Sequence, residues 1–363
     1  MKYKIPLLTL LLILLAGALS ACGGSYMTAA SWPGLAADDQ RAYVANNQHI
    51  YAVDLETGTE AWRFPADADN KTTFFADPAL TPDGQLIAPS YDHKLYSIDP
   101  VSGNDNWVFD GSTDRLIAGP LITDQGIFQV SADGNLYALD FEGNLEWTFE
   151  TGGPVWASPT MNESCTCLFV GSMDHHVYAV DAETGDLLWK SEDLNGAIVG
   201  KPAFDHNNTV IVGTFGSEVI ALNAENGQVD WRFSTEGWVW SGGLLHEGNL
   251  YLGDLAGYFY SIDIVTGTQN WRMQPGDLEQ PSGPIIGAPL LLNDQLVINT
   301  ENDTVYFISL DGDELDKTVV GGTLYATPYA AGDLILVAPI NSDIILAALT
   351  ETGAQQWTYM PEK

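Results

Sequence analysis

From Tyr51 the chain reads Tyr-Ala-Val-Asp, a short alternating strand. A Glu-Thr-Gly turn follows, and then a second strand that carries Trp62. The same pattern returns every 40 to 46 residues, from Tyr96, Tyr137, Tyr178, Ile220, Tyr260, Tyr306 and Leu346. Two copies, at Tyr137 and Tyr306, are one residue shorter. Glycine holds one slot in every copy: Gly58, Gly103, Gly143, Gly185, Gly227, Gly267, Gly312 and Gly353. A slot that only glycine fills points to a positive φ in a hairpin turn. Four residues later stands tryptophan, at Trp62, Trp107, Trp147, Trp189, Trp231, Trp271 and Trp357; the seventh copy has Asp316 there. A large flat ring at a fixed hairpin position suits packing on a neighbouring unit, with its N–H seeking a partner.

Ahead of each hairpin the pattern changes. Four residues before a proline (Gly243 in the sixth copy) come Phe74, Leu116, Val155, Ile198, Val239, Ile285 and Leu324, all large and apolar. The next position is apolar as well, and the one after it is small: Ala76, Ala118, Ala157, Gly200, Ser241, Gly287 and Ala326. Apolar side chains on both faces predict a strand covered on both sides, here the innermost strand of a wedge-shaped unit. With two turns between it and the hairpin, each repeat makes four short strands. The expectation is an all-β fold, a single eight-bladed β-propeller with four antiparallel strands per blade over residues 31–363. The first copy starts at its inner strand and the last ends at its outer one, which predicts little strand exchange at the closure, at most a pairing by residues around Tyr26.

This repeat resembles the PQQ-like propeller family, whose blades carry a tryptophan-docking motif of the form Ala-x-Asp-x-x-Thr-Gly-x-x-x-Trp. Within that family, quinoprotein dehydrogenases hold PQQ and calcium over the channel, with a vicinal cysteine disulfide and long insertions. This chain has no adjacent cysteines, nearly uniform repeats and no Cys-x-x-Cys-His haem motif. The resemblance is to the other branch, the BamB-like lipoproteins, and implies a cofactor-free docking platform.

The N-terminus agrees with an exported protein. Met1-Lys2-Tyr3-Lys4 precedes an apolar run over Ile5–Ala18, then Leu19-Ser20-Ala21-Cys22-Gly23, which resembles a lipobox. The expected layout is a lipoprotein signal peptide over 1–21, lipidated Cys22, and a linker over 22–30. The apolar run is short for a membrane span, so the attachment to the membrane is through lipid on Cys22. That places the chain in the cell envelope: on the outer membrane of a diderm cell, or the outer face of the single membrane of a monoderm.

Charge narrows the partners. Lysine and arginine number 13 against 48 aspartates and glutamates, a formal net charge of −35, so phosphate backbones are repelled and nucleic acid is excluded as a partner. The same field favours a basic protein partner. Disorder is not the reason for the charge, because 45% of residues are apolar and 11% aromatic, enough for a core.

Candidate chemistry is sparse. Cys165 and Cys167 suit a local disulfide or two quiet thiols, since no third cysteine of the mature chain is left for a metal site. Asp92-His93 and Asp174-His175-His176 fall in matching turns, as does Asp133, which favours turn chemistry over a metal. Asp67-Ala68-Asp69 and Asp277-Leu278-Glu279 lack the dense oxygen ligands of a calcium loop. Trp156 and Trp240 are expected on inner strands, and with Trp238 and Tyr325 they would make a sugar or peptide platform if they faced the channel mouth. The acidic connections 65–73, 110–115 and 274–282 share an end of the ring with the Asp92, Asp133 and Asp174 turns, and that end is the expected partner face. The expectation is a non-catalytic protein-binding scaffold with no metal and no cofactor. The alternatives are a propeller that binds a small ligand or polysaccharide in its central funnel and, a distant third, a PQQ-dependent enzyme.

Overall fold

The computed structural model describes residues 32–205, 208–277 and 280–362. The expected leader, lipobox, linker and any pairing near Tyr26 lie outside the described residues. Eight four-stranded antiparallel sheets follow one another along the chain, each built from four consecutive strands. Blade one comprises Gly34–Ala37, Arg41–Asn46, His49–Asp54 and Glu60–Phe64; blade three comprises Leu121–Thr123, Gly126–Val130, Asn135–Leu139 and Leu145–Glu150. Blade eight ends the series with Tyr329–Ala331, Leu334–Val337, Leu346–Thr350 and Gln355–Tyr359. A two-stranded ribbon, Gly276–Asp277 with Gln280–Pro281, decorates the connection between blades six and seven. Among the described residues no helix is long and apolar enough to cross a membrane.

The core is divided into layers between blades. Leu35, Val44 and Val53 of blade one pack with Leu336, Leu346 and Ala348 of blade eight, and an equivalent layer fills each of the other seven interfaces. The layer between blades eight and one joins the two ends of the chain, which closes the ring.

The tryptophan slot explains how neighbours lock. Trp62 Nε1 donates to Pro100 O at 3.0 Å, Trp107 to Phe141 O at 3.0 Å and Trp147 to Ala182 O at 3.2 Å. Trp189, Trp231 and Trp271 repeat this on Ala224, Ile264 and Leu310, and Trp357 closes the ring on Leu55 O at 2.9 Å. Each indole also lies on the turn glycine of the next blade. A Cβ on Gly58 would stand 2.8 Å from Trp357, and one on Gly103 would stand 2.7 Å from Trp62. The eight glycines have φ between 68° and 90°, so the slot excludes side chains twice over, by backbone conformation and by the ring above. Trp189 is buried, while the other six are half-buried.

Blade seven solves the missing tryptophan differently. Asp316 is exposed; Gln295 Nε2 donates to Glu351 O at 2.8 Å and Thr318 Oγ1 to Gly353 O at 2.7 Å, with the Phe307 ring against Gly353. The eighth copy differs from the sequence register: Ala348 pairs with Trp357 as Ala52 pairs with Trp62, so Ala347, not Leu346, occupies the tyrosine slot and this turn is also one residue short.

The pre-proline segments are a second correction. Leu116, Val155 and their counterparts are fully buried but lie outside the strands, and the innermost strand begins only after the proline, as at Leu121 and Thr160. Their backbone pairs elsewhere. Leu116 N donates to Ser90 O of the preceding blade, Val155 N to Ser131 O, Ile198 N to Ser172 O and Ile285 N to Asp254 O. These residues are wedges tied to the blade before them, and proline then supplies no N–H to continue that pairing.

Candidate functional site

Two ends of the ring can be told apart by their hydrogen bonds. At one end the turn between the first two strands of a blade meets the tryptophan-docking turn, as in Leu55 N to Gln40 O and Ala182 N to Thr166 O. Cys165 and Cys167 lie there, in the first turn of blade four, joined as a disulfide with Cα atoms 5.2 Å apart. Thr166 between them has φ 57°, the bend that brings the two Cα atoms within bridging range.

At the other end, here the loop end, the second turn of each blade meets the connection arriving from the previous blade. The sequence-derived partner-face aspartates sit in these turns, and their carboxylates point inward. Asp133 Oδ2 accepts from Thr113 N at 2.9 Å and Tyr137 Oη at 2.7 Å, and Oδ1 accepts from Asn135 N. Asp92 accepts from Tyr96 Oη at 2.7 Å and Thr72 Oγ1 at 3.3 Å, and Asp174 from Tyr178 Oη. Asp254, not singled out from the sequence, does the same in blade six, fully buried, from Tyr260 Oη and Gly237 N. Burial opposes the charge on Asp133 and Asp174, yet the donated hydrogen bonds outweigh it and hold both below the ordinary aspartate range. Conversely, burial together with the Asp133 hydrogen bond pushes the Tyr137 hydroxyl up to about 12. These aspartates clasp one blade to the next.

The histidines beside them diverge. His175 Nδ1 lies 3.3 Å from Asp193 Oδ1, while His176 Nδ1 meets Ser191 O at 2.9 Å. His93 and His175 adopt φ of 70° and 72°, the left-handed conformation of a tight turn. Among the described residues, no three His, Cys, Asp or Glu side chains converge as a metal site. Leu278 and Glu279 of the second acidic loop lie outside the described residues.

Part of the aromatic set assembles, but not on inner strands. Trp156, Trp240 and Tyr325 belong to the pre-proline segments and are half-buried. Trp240 meets Phe215 at 5.0 Å and Trp32 at 5.5 Å between ring centroids, and Trp32 meets Tyr325 at 5.7 Å. Trp238, half exposed, stacks on Phe215 at 5.1 Å with 17° between planes. Tyr325 Oη donates to Glu301 at 2.6 Å. Trp156 is apart from this cluster, and its buried Nε1 has no hydrogen-bond partner. Trp32, Phe215 and Glu301 were missed in the sequence because they occupy three different repeat positions.

The profile of a family described as outer membrane protein assembly factor BamB matches in five overlapping stretches, residues 19–120, 46–173, 92–232, 173–289 and 263–362. The chain belongs to this BamB family. BamB from Legionella pneumophila (strain Paris) is 25% identical over 186 residues, covering 48% of this chain and 46% of that one. The propeller is shared with enzymes: tetrathionate hydrolase of Acidithiobacillus ferrooxidans is 26% identical over 140 residues, 32% of this chain and 28% of its own. The matched stretches therefore span less than half the length of these relatives. The crystal structure of BamB from Moraxella catarrhalis superposes with a TM-score of 0.70 at 14% identity, over 84% of this chain and 92% of that one. The computationally designed Ika8 protein reaches 0.73 at 15% identity, over 91% and 96%. At such identities the likeness is one of fold. Since assembly factors and enzymes share it, the BamB-family ring does not by itself choose an activity.

Proposed function

We propose that this chain is a non-catalytic, lipid-anchored docking scaffold of the cell envelope that serves outer-membrane protein assembly as its BamB relatives are named to do. The observation that carries the reading is on the outer rim. In consecutive blades two, three and four, Val108, Leu145, Leu187 and Leu188 stay 41–50% exposed on the outermost strands. Exposed acids stand beside them at Asp105, Glu146 and Asp186. A surface mixing aliphatic side chains with carboxylates fits a partner that offers apolar and basic groups, brought in by long-range charge and held by apolar burial. The loop-end aspartates are occupied by tyrosine and backbone donors, so the rim of blades two to four takes the place of that end as the partner surface. The uniform short turns also support a scaffold.

The test is photo-crosslinking in cells from positions 145 and 187, with position 265 in blade six, which is still more exposed, as the control. One dominant protein captured from the first two and not from the third is the expected result. Equal capture from all three, or purified protein turning over a substrate with added PQQ and calcium, would overturn the reading. For the anchor, Cys22→Ser should move the protein to the soluble fraction without altering its fold; retention after a salt wash would mean that another attachment exists.

A further inference from the structure

Between blades two and three, at the end of the ring that carries the docking turns, a cleft of about 570 Å3 opens to solvent. Blade two, built from Ala79–Leu80, Leu86–Pro89, Leu95–Ile98 and Asp105–Phe109, supplies most of its wall. Asp83 and Gln85 come from the first turn, Asp99 from the docking turn, and Asn106 and Trp107 from the outermost strand; blade three adds Glu142 from its own docking turn. The first turn of blade two is long. Five residues separate the paired Leu80 and Leu86, against two in the same turn of blades three, six, seven and eight. The extra length puts Asp83 and Gly84 at the mouth. Asp83 is exposed, and a Cβ on Gly84 would meet nothing within 4 Å.

Inside the cleft the donors of Gln85 and Trp107 are used up, and acceptors are left over. Gln85 Nε2 donates to Asp83 Oδ2 at 2.7 Å and Phe141 O at 2.9 Å, while its Oε1 accepts from Trp107 Nε1 at 2.9 Å. Asp99 accepts from Val101 N at 2.8 Å on one oxygen and Ser102 Oγ at 2.9 Å on the other, which leaves a lone pair on each. The Glu142 carboxylate is exposed and makes no hydrogen bond or ion pair among the described residues. No lysine or arginine is among the described residues that line the cleft. The neighbouring interface shows what fits. Ala42 lies opposite Val53 and Leu86 opposite Ile98, each one residue past the partner of the docking tryptophan, so Arg41 and Gln85 hold the same slot. Arg41 Nη1 donates to Pro100 O, the carbonyl that also takes the Trp62 indole, and to Val101 O at 3.4 Å. Phe141 and Glu142 stand at the positions of Pro100 and Val101. The chain thus seats a guanidinium of its own in this notch once. At the next interface it has a glutamine there, with carboxylates around the space beyond.

We propose that this cleft takes an arginine side chain of the protein partner, its aliphatic stem along the Trp107 ring and its guanidinium among Asp83, Asp99 and Glu142. The proposal rests on the docking reading above and names the chemistry of that partner. Trp107 shares its strand with Val108 of the apolar rim, so one contact buries aliphatic groups and seats a basic group beside them. Charge and shape select the class. An anion would meet three carboxylates and the field of a chain with net charge −35. A compact metal ion needs ligands that converge, and among the described residues no three acids do so. A planar cation with five donors reaches several separated acceptors at once and packs on an indole, whereas an ammonium is a point charge.

The test titrates the whole mature protein with N-acetyl-arginine amide, N-acetyl-lysine amide and N-acetyl-citrulline amide, the last a neutral copy of the arginine shape. The readout is the indole N–H NMR signal of Trp107, assigned by its loss in Trp107→Phe. The arginine amide should shift that signal saturably, the lysine amide should bind more weakly, and the citrulline amide should give no shift at the same concentration. Glu142→Gln and Asp83→Asn should each weaken the arginine amide about threefold, the loss expected for one exposed ion pair. Circular dichroism checks that both variants are folded. In cells, photo-crosslinking from position 145 should capture at least about threefold less partner in the double variant Asp83→Asn with Glu142→Gln. No shift with the arginine amide, or an equal shift with the citrulline amide, overturns the proposal. The cleft and the docking reading fail separately. No partner captured by the wild type removes the docking reading and with it the source of the arginine, whereas equal capture by the wild type and the double variant removes the cleft alone.

Discussion

Replacing Trp357 with alanine tests the closure of the ring. Seven of the eight interfaces have a covalent connection from one blade to the next, whereas among the described residues blades eight and one share no strand and no loop. Trp357 lies over Gly58 and donates to Leu55 O at 2.9 Å; Tyr359 adds a hydrogen bond to Glu60 and a ring contact with Tyr51 at 5.8 Å. A half-buried indole removes roughly 100 Å2 from water, which at about 25 cal/mol/Å2 is about 2–3 kcal/mol. The lost N–H bond, with the Leu55 carbonyl left unpaired, adds about 1 kcal/mol. Trp357→Ala should therefore cost about 3–4 kcal/mol in urea unfolding followed by far-ultraviolet circular dichroism, a probe that does not depend on the deleted fluorophore. Trp147→Ala removes the same contacts at an interface that a loop also joins, and should cost a similar amount. The two should differ in where the loosening appears. Amide exchange should accelerate on the facing strands of blades one and eight in Trp357→Ala, and no seam should open in Trp147→Ala. A loss below about 1 kcal/mol for Trp357→Ala, or the same exchange pattern in both variants, would refute the view that this indole closes the ring.

The interface without tryptophan gives a paired comparison: Gln295→Ala should cost about 1 kcal/mol in the same urea assay, as the donor that stands in for an indole on Glu351 O. Gln85→Ala should cost less, because Trp107 still donates to Phe141 O. Gly103→Ala should lower stability by more than Gly84→Ala, read from thermal midpoints. Both glycines have positive φ, but only at Gly103 would the new Cβ stand 2.7 Å from an indole. Asp133 and Asp174 titrate below the free aspartate value, so their contribution is fully present above about pH 4 and is lost as pH falls through their lowered pKa. The stability gap between the wild type and Asp133→Asn should accordingly be widest near neutrality and shrink in acid, and a gap independent of pH would count against the clasp.

The blade number, the four-strand unit, the positive φ of the turn glycines and the docking role of the indoles were all legible in the sequence. Each is a local requirement repeated seven or eight times, so that any one copy could be checked against the others. Positions that break the repeat were harder to read. The shortened turn at Ala347 looked complete because Leu346 imitates the missing tyrosine, and only the pairing of Ala348 with Trp357 sets the register. Gln295 and Thr318 gave no sign that they replace the tryptophan absent at Asp316, because their partners come from the next blade. Leu116 and its counterparts have strand-like composition, but their N–H groups pair across blades, which composition does not record. The bonding at the loop end was also hidden from the sequence. Aspartates in turns read as a charged face, yet each carboxylate accepts from a tyrosine four or six residues along, and those of Asp92, Asp133 and Asp254 accept as well from the connection of the blade before. The meeting of Trp32 with Trp240 needed the closed ring itself. Residues from distant blades come together only where all eight inner edges converge on one axis, and no spacing along the chain carries that distance.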